Sequence, residues 1–185
     1  MKNFISRDLL GKIEESVVMA KSAAFVNEAV ATASLRPPRP TECTVFLSHK
    51  HSDRDLVRKV IALFHTLGVY VYVDWLDSSM SAAASGQTAA KLKKKIKDSR
   101  KFVLLATDDA VASKWCNWEL GLGDAAKYLE HIAILPISDP GKTWSGNEYL
   151  QIYPAITSEY QTFAGGPYYV ELGERRIGLV DWLKN

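Results

Sequence analysis

Four short apolar runs divide the chain and predict its strands. They read TVFLS, VYVYV, FVLLA and IAILP, and they occupy residues 44–48, 69–73, 102–106 and 132–136. Each run is apolar at nearly every position rather than at every second one, which is typical of strands that are buried on both faces. The pattern therefore predicts a parallel sheet with other elements packed on both of its sides.

Apolar residues at helical spacing fill the gaps between these runs. A capping-box pattern, SDRD at residues 52–55, opens the first helix, and Gly68 ends it. Three further helices are predicted, over residues 88–98, 113–129 and 175–183. Residues 168–170 predict a fifth strand in the tail. Alternation of strands and helices indicates an α/β fold with a doubly wound sheet.

The first forty residues differ from the rest. Apolar positions recur at helical spacing over residues 5–34, and the run RPPRP at residues 36–40 cannot continue a helix. We therefore expect an N-terminal helix with a proline-rich linker over residues 1–40 and an α/β domain over residues 41–185. The helix is expected to pack on its own domain, while pairing with a second copy and docking of a partner stay open as alternatives.

Composition and charge exclude several classes of protein. Hydrophobic residues make up 47% of the chain and charged residues 24%, as in an ordinary globular domain. The net charge of +2 is too small to indicate nucleic acid or an anionic membrane as a partner. No apolar run approaches the ~20 residues of a membrane-spanning helix, and the first residues lack the apolar core of a signal peptide. Because Cys43 and Cys116 make no disulfide framework, we expect a cytoplasmic protein.

One carboxylate of the chain stands among tryptophans. Residues 113–120 read SKWCNWEL, and Trp115 and Glu119 are four apart, so they share a face of the predicted helix. A carboxylate beside a large aromatic side chain is partly desolvated, which indicates a group that binds or reacts. The alternative is a surface glutamate next to core tryptophans. Gly121 and Gly123 follow in the same helix and indicate close approach, either of a substrate or of the sheet.

Three segments meet at one edge of the predicted sheet. Ligands of open α/β sheets bind at the carboxyl ends of the strands. The first strand is followed there by SHKH at residues 48–51, the second by DWLD at residues 74–77, and the third by the loop that leads into Glu119. These segments supply the residues of a candidate site.

Together the segments resemble a Toll/interleukin-1 receptor (TIR) domain of the stand-alone bacterial type. FLSH before a capped helix, VYVD before a loop, and SKWCNWEL carry the resemblance, which covers residues 43–137 well, the tail loosely and residues 1–40 not at all. It implies a flavodoxin-like fold with a five-stranded parallel sheet and helices on both faces. Many members of the family cleave NAD⁺ at the nicotinamide–ribose bond. Bacterial members often act in antiphage defence through ADP-ribose or a cyclic or modified form of it, whereas other members are non-catalytic scaffolds that signal by TIR–TIR assembly.

The resemblance also assigns roles to residues of this chain. The family's catalytic glutamate lies in a Trp-x-x-x-Glu segment, which matches Trp115 to Glu119. Glu119 is therefore expected to be catalytic and Trp115 to contact the nucleotide. Further contacts to the nucleotide are expected from five residues of the first two loops: Ser48, His49, Lys50, Asp74 and Trp75. A polar surface turn is the alternative for His49 and Lys50, and a contact with the core is the alternative for Trp75.

A single carboxylate suffices for that reaction. Nicotinamide leaves without needing a proton, so a glutamate beneath the ribose can stabilise the oxocarbenium-like centre without a second, acidic carboxyl group. NAD⁺ is then the substrate, and no separate cofactor or metal is expected. The expected partners are NAD⁺, other copies of the chain through the TIR domain, and a separate effector protein that responds to the product. Neither nucleic acid nor a membrane is expected, because the net charge is small and the lysines of residues 91–97 predict a solvated helix face.

Overall fold

The computed structural model describes residues 4–7, 24–33, 37–80, 85–138, 144, 146–158 and 167–185. Its elements in chain order are strand β1 (Ile5–Ser6), helix α1 (24–33), strand β2 (Thr44–Ser48), helix α2 (Arg54–Thr66), strand β3 (Tyr70–Tyr72), helix α3 (Gly86–Asp98), strand β4 (Lys101–Ala106), helices α4 (Asp108–Val111) and α5 (Lys114–Ala126), strands β5 (Ile132–Ser138), β6 (Ala155–Ser158), β7 (Tyr168–Leu172) and β8 (Arg175–Gly178), and helix α6 (Leu179–Lys184).

The described strands form one sheet with five parallel strands at its centre. Their order is β3-β2-β4-β5-β6. All six residues of β4, the middle strand, are buried, as its continuous apolar run predicts. Because β2 lies between β3 and β4, the strand order reverses there, and a crevice forms at the carboxyl ends of the strands. The four predicted strands, the parallel sheet and the flavodoxin-like order are confirmed.

The tail of the chain differs from the prediction. The fifth parallel strand is β6, which the sequence did not predict because a run of four residues shows no clear period. Residues 168–170 do lie in a strand, but β7 pairs with β6 in the antiparallel direction. The helix predicted over residues 175–183 is wrong in its first half, where the chain forms β8 and the helix begins only at Leu179. The turn of Gly173 and Glu174 joins β7 to β8, and Gly173 takes φ +58°, which a two-residue hairpin turn favours.

The N-terminal segment packs on the α/β domain, as expected, but its first described residues form a strand rather than a helix. Ile5 lies in β1, which pairs in parallel with the end of β5, so the predicted helix is wrong at its start. Helix α1 buries Ala29 and Ala33 in the core on the side of α2. Arg58 of α2 donates from Nη2 to Asn27 Oδ1 at 2.5 Å. The middle of the predicted helix lies outside the described residues.

Helices cover both faces of the sheet, so the core has two layers. Helices α1, α2 and α6 pack on one face, and helices α3 and α5 pack on the other. Within α5, a Cβ at Gly123 would lie 3.1 Å from ring atoms of Phe102, so the glycine allows the helix to approach the sheet closely. Helix α5 ends at Ala126, three residues earlier than predicted. None of the described helices is both long enough and apolar enough to cross a membrane.

Candidate active site

Helix α5 holds Trp115 and Glu119 on the same side. Ser113 begins the helix as its N-cap, because its Oγ accepts the backbone N–H of Cys116 at 3.4 Å. Trp115 then falls in the first turn, and Glu119 follows one turn later, where its exposed fraction is only 3%. The ring of Trp115 lies 5.0 Å from the ring of Trp118, centroid to centroid. The helical spacing in the sequence therefore predicts this pair correctly, and the surface alternative for Glu119 is wrong.

Strand β2 supplies the hydrogen-bond partner of Glu119. Side chains alternate between the two faces of a strand, so Phe46 and Ser48 point to the face that α5 covers. Ser48 is buried, and its Oγ donates to Glu119 Oε2 at 2.6 Å. This bond joins the carboxyl end of the strand to the second turn of the helix, and it fixes the position of the carboxyl group.

Burial controls the ionisation of Glu119. Loss of water around the side chain raises its pKa from the ordinary value of 4.5 to about 8, and the negative charge of Asp74 acts in the same direction. The hydrogen bond from Ser48 and the indole of Trp115 lower the pKa but do not offset the burial. The carboxyl group is thus mostly protonated at neutral pH.

His49 presents an unpartnered nitrogen next to Asp74. Its Nδ1 donates to the carbonyl of Leu47 at 2.9 Å, which leaves Nε2 as the other ring atom available for contacts. Nε2 is buried, has no hydrogen-bond partner among the described residues, and lies 3.6 Å from Asp74 Oδ1. Burial lowers the pKa of His49, so the imidazole is neutral at neutral pH. His51 approaches the other carboxylate oxygen of Asp74, also at 3.6 Å, from the exposed side.

The loop after β3 positions Asp74 and Trp75. Asp74 Oδ1 accepts the backbone N–H of Trp75 at 2.8 Å and so stabilises the short 3-10 turn Asp74–Leu76. Trp75 packs against the core on the α2 side, and the guanidinium of Arg54 lies 5.4 Å from the centre of its ring. The indole therefore makes the core contact that the sequence left open, and it also lines the cleft described next.

A cleft of about 570 Å³ opens at the carboxyl ends of the strands. Five of the seven predicted site residues line it: His49, Lys50, Asp74, Trp75 and Trp115. Ser48 and Glu119 are buried and do not line the cleft themselves, and Glu119 is connected to the lining by its hydrogen bond with the side chain of Trp115. The structure thus brings all seven residues to one place, with the carboxyl group in the deepest layer.

Sequence reasoning missed several residues that line the cleft. Arg54 had a signal, since it stands three residues after the predicted SHKH segment, and Asp77 lies inside the predicted DWLD segment although no role was assigned to it. Thr88 comes from helix α3, and no pattern in the sequence pointed to it. Cys116 is also part of the lining, and burial raises the pKa of its thiol. The described residues contain no group of three or more metal-ligating side chains arranged for an ion.

Comparison with known proteins gives the same fold family as the geometry. The family model described as "TIR domain" matches residues 45–158, which include every element of the cleft. A protein of Bacillus cereus (strain MSX-D12) is 32% identical over 119 residues, and its provisional name is 3′ cyclic ADP-D-ribose synthase ThsB′. A protein of Cytobacillus dafuensis is 34% identical over 79 residues, and its provisional name is cyclic ADP-D-ribose synthase TIR2.

Both alignments are partial. The match to the Bacillus protein covers 60% of this chain and 59% of that protein. The match to the Cytobacillus protein covers 41% of this chain and 21% of that protein. The chain therefore spans about three fifths of the length of the first relative and about a fifth of the length of the second.

Proposed function

This chain belongs to the TIR domain family, and on that premise we propose that it cleaves NAD⁺ at the bond between nicotinamide and ribose. One contact supports this most directly, the hydrogen bond from Ser48 to the buried carboxyl group of Glu119 behind the cleft. A carboxyl group buried to this extent weakens the fold, because its ionised form is poorly solvated. Its presence therefore indicates a role in binding or reaction.

The chemistry requires one ionised carboxylate. When the bond to nicotinamide breaks, positive charge develops on the ribose ring, and a carboxylate beneath the ring stabilises it. Glu119 supplies that charge, and Ser48 holds the carboxylate in one orientation. The positive pyridinium ring of the bound substrate favours the ionised form of Glu119, so substrate binding itself lowers the raised pKa toward the working range.

The lining of the cleft offers contacts for the rest of the dinucleotide. Lys50 and Arg54 are the cations for the diphosphate. Trp115 provides an aromatic face for a ring of the substrate, and His49 and Asp74 offer polar atoms for the ribose hydroxyl groups. The cleft, at about 570 Å³, falls in the usual range for small-molecule sites.

Glu119 needs closer access to the cleft than this conformation gives. We infer that self-association through the TIR domain rearranges the lining, and that the resting monomer has low activity.

The relatives' provisional names refer to cyclic ADP-D-ribose, so the product proposed here is ADP-ribose or a cyclic form of it. We further propose that the product acts in antiphage defence by activating a separate effector protein. A cytoplasmic location fits this role, since Cys43 and Cys116 are both free thiols.

The decisive experiment incubates concentrated protein with NAD⁺ and separates the products by chromatography and mass. The parent is compared with Glu119→Gln, which keeps the shape but not the charge, and with Glu174→Gln, a matched change of an exposed glutamate in the β7–β8 turn. We expect nicotinamide release by the parent and by Glu174→Gln only. The mass of the second product distinguishes linear ADP-ribose from a cyclic form that has lost water. Equal nicotinamide release by Glu119→Gln would refute the catalytic role of Glu119. No nicotinamide release by the concentrated parent protein would favour the scaffold alternative.

A further inference from the structure

A second cleft opens at the opposite, amino-terminal edge of the parallel strands. Its volume is about 670 Å³. Lys101, the first residue of β4, contributes to its floor, and Trp182 of α6 contributes to one side. Val170 and Ile177, from the β7–β8 hairpin, make much of the remaining wall apolar. Tyr128 stands at the rim with 79% of its surface exposed.

The ammonium group of Lys101 lacks a direct anionic partner. Only 1% of the residue is exposed, yet among the described residues no carboxylate oxygen lies within 4 Å of its Nζ. Nζ donates to His131 Nδ1 at 2.8 Å and, over a long distance of 3.5 Å, to the carbonyl of Glu130. It also lies 4.6 Å from the centre of the Trp182 ring. An ammonium group has three donors, so one good bond and one long bond leave capacity for a further acceptor.

The carboxylate of Glu130 contacts His131 rather than Lys101 itself. Glu130 Oε1 lies 3.7 Å from His131 Nε2, and the Glu130 side chain is 76% exposed to solvent. Arg175, also part of the lining, adds a second cation at the exposed side of the cleft. A buried cation without a directly contacting anion destabilises the fold, and a bound anion would reduce that destabilisation.

We propose that this cleft binds a small organic anion with a flat aromatic body and one anionic group, which is held by Lys101. The apolar wall and the rim tyrosine accept the aromatic body, and the volume falls within the range of small-molecule sites. The anionic group takes the free donor capacity of the ammonium, and Arg175 attracts the ligand as it enters. This cleft and the cleft before Glu119 lie at opposite ends of the same parallel strands.

Two fluorescent probes test the proposal, because they share an aromatic body and differ in charge. Anilinonaphthalene sulfonate is the anionic probe, and N-phenyl-naphthylamine is the neutral one. Lys101→Met removes the ammonium group and keeps an unbranched side chain that is shorter only by that terminal atom, and Lys97→Met makes the same change at an exposed position of α3. We expect Lys101→Met to weaken binding of the anionic probe by about tenfold or more and to change binding of the neutral probe little, since a hydrogen bond to a charged group contributes that much. Lys97→Met should leave both probes unchanged.

Several results would overturn the proposal. These are failure of the folded parent to bind the anionic probe, equal losses for the two probes in Lys101→Met, and unchanged binding of both in that variant. Circular dichroism checks that each variant is folded. If Lys101→Met does not fold, Ile177→Glu decides the question, because this residue of the cleft wall is partly exposed and its replacement adds a negative charge at the cleft. It should then weaken the anionic probe severalfold and the neutral probe much less, and equal effects on both would again refute the charge selectivity.

Discussion

Replacing Glu119 by glutamine should abolish NAD⁺ cleavage. The stability of the variant relative to that of the parent should also increase as the pH rises. The carboxyl group is buried, and its pKa in the folded state is raised from 4.5 to about 8. Below the unfolded-state pKa both states hold the proton, so the parent and the variant differ least there. As the pH rises above about 4.5, the unfolded chain ionises while the folded protein keeps its proton, and the parent loses stability until the pH passes the folded-state pKa.

The size of the effect follows from the two pKa values. Each pH unit between them changes the free energy of unfolding by about 1.4 kcal/mol, less near the ends of the window. From about pH 5 to about pH 7 the parent should therefore lose on the order of 2.5 kcal/mol relative to Glu119→Gln. The unpaired amide donors of the glutamine cost stability as well, but that cost does not depend on pH, so the comparison rests on the slope rather than on the absolute difference.

Urea unfolding at several pH values measures this difference, with Glu174→Gln as the control for an exposed glutamate. The stability difference between Glu119→Gln and the parent should grow with pH, whereas the control should follow the parent throughout. A difference that stays constant between about pH 5 and about pH 7 would show that the folded carboxyl group ionises at an ordinary pKa. The burial argument for a functional group at this position would then fail.

Three further predictions concern the same site and the helix that carries it. For NAD⁺ cleavage, kcat/KM should rise with pH to a plateau, with a midpoint near pH 8, because Glu119 of the free enzyme must be ionised. A flat pH profile would contradict this. Ser48→Ala removes the hydrogen bond that lowers the pKa of Glu119, so it should reduce the rate and shift that midpoint to higher pH; a lower rate with no shift would limit Ser48 to positioning. Gly121→Ala should stabilise α5 by about 1 kcal/mol, since nothing lies within 4 Å of the added Cβ, whereas Gly123→Ala should destabilise the protein, since its Cβ would lie 3.1 Å from the Phe102 ring. Urea unfolding of the two glycine variants compares them directly, and equal effects would disprove the close packing of this helix.

The sequence predicts the centre of the fold well because the buried parallel strands leave a clear signal. β4 is apolar at nearly every position, and its neighbours β2 and β5 show similar runs. β6 leaves no such signal, because four residues are too few to show a period. The sequence predicts part of the β7–β8 hairpin as a helix, because the two-residue turn at Gly173 gives no distinct local signal and the residues after it are mostly polar.

Some features of the candidate site can likewise be predicted from the sequence, whereas others depend on tertiary packing. Trp115 and Glu119 could be predicted together because four residues make one helical turn, and His49 and Asp74 because parallel strands end at one edge of the sheet. The hydrogen bond from Ser48 to Glu119 joins positions 71 residues apart, so it depends on how α5 crosses β2, which local pattern does not contain. The depth of the carboxyl group behind the cleft was likewise set by packing rather than by spacing.

The short strand at the start of the chain has a consequence for how the protein is made. β1 pairs with the end of β5, so its partner leaves the ribosome roughly 130 residues after it does. Ile5 and Ser6 must therefore wait until most of the sheet exists before they can pair with Ile137 and Ser138. A fusion partner attached at the N-terminus would consequently be carried to the carboxyl end of β5, on the side of the sheet where the Glu119 cleft opens.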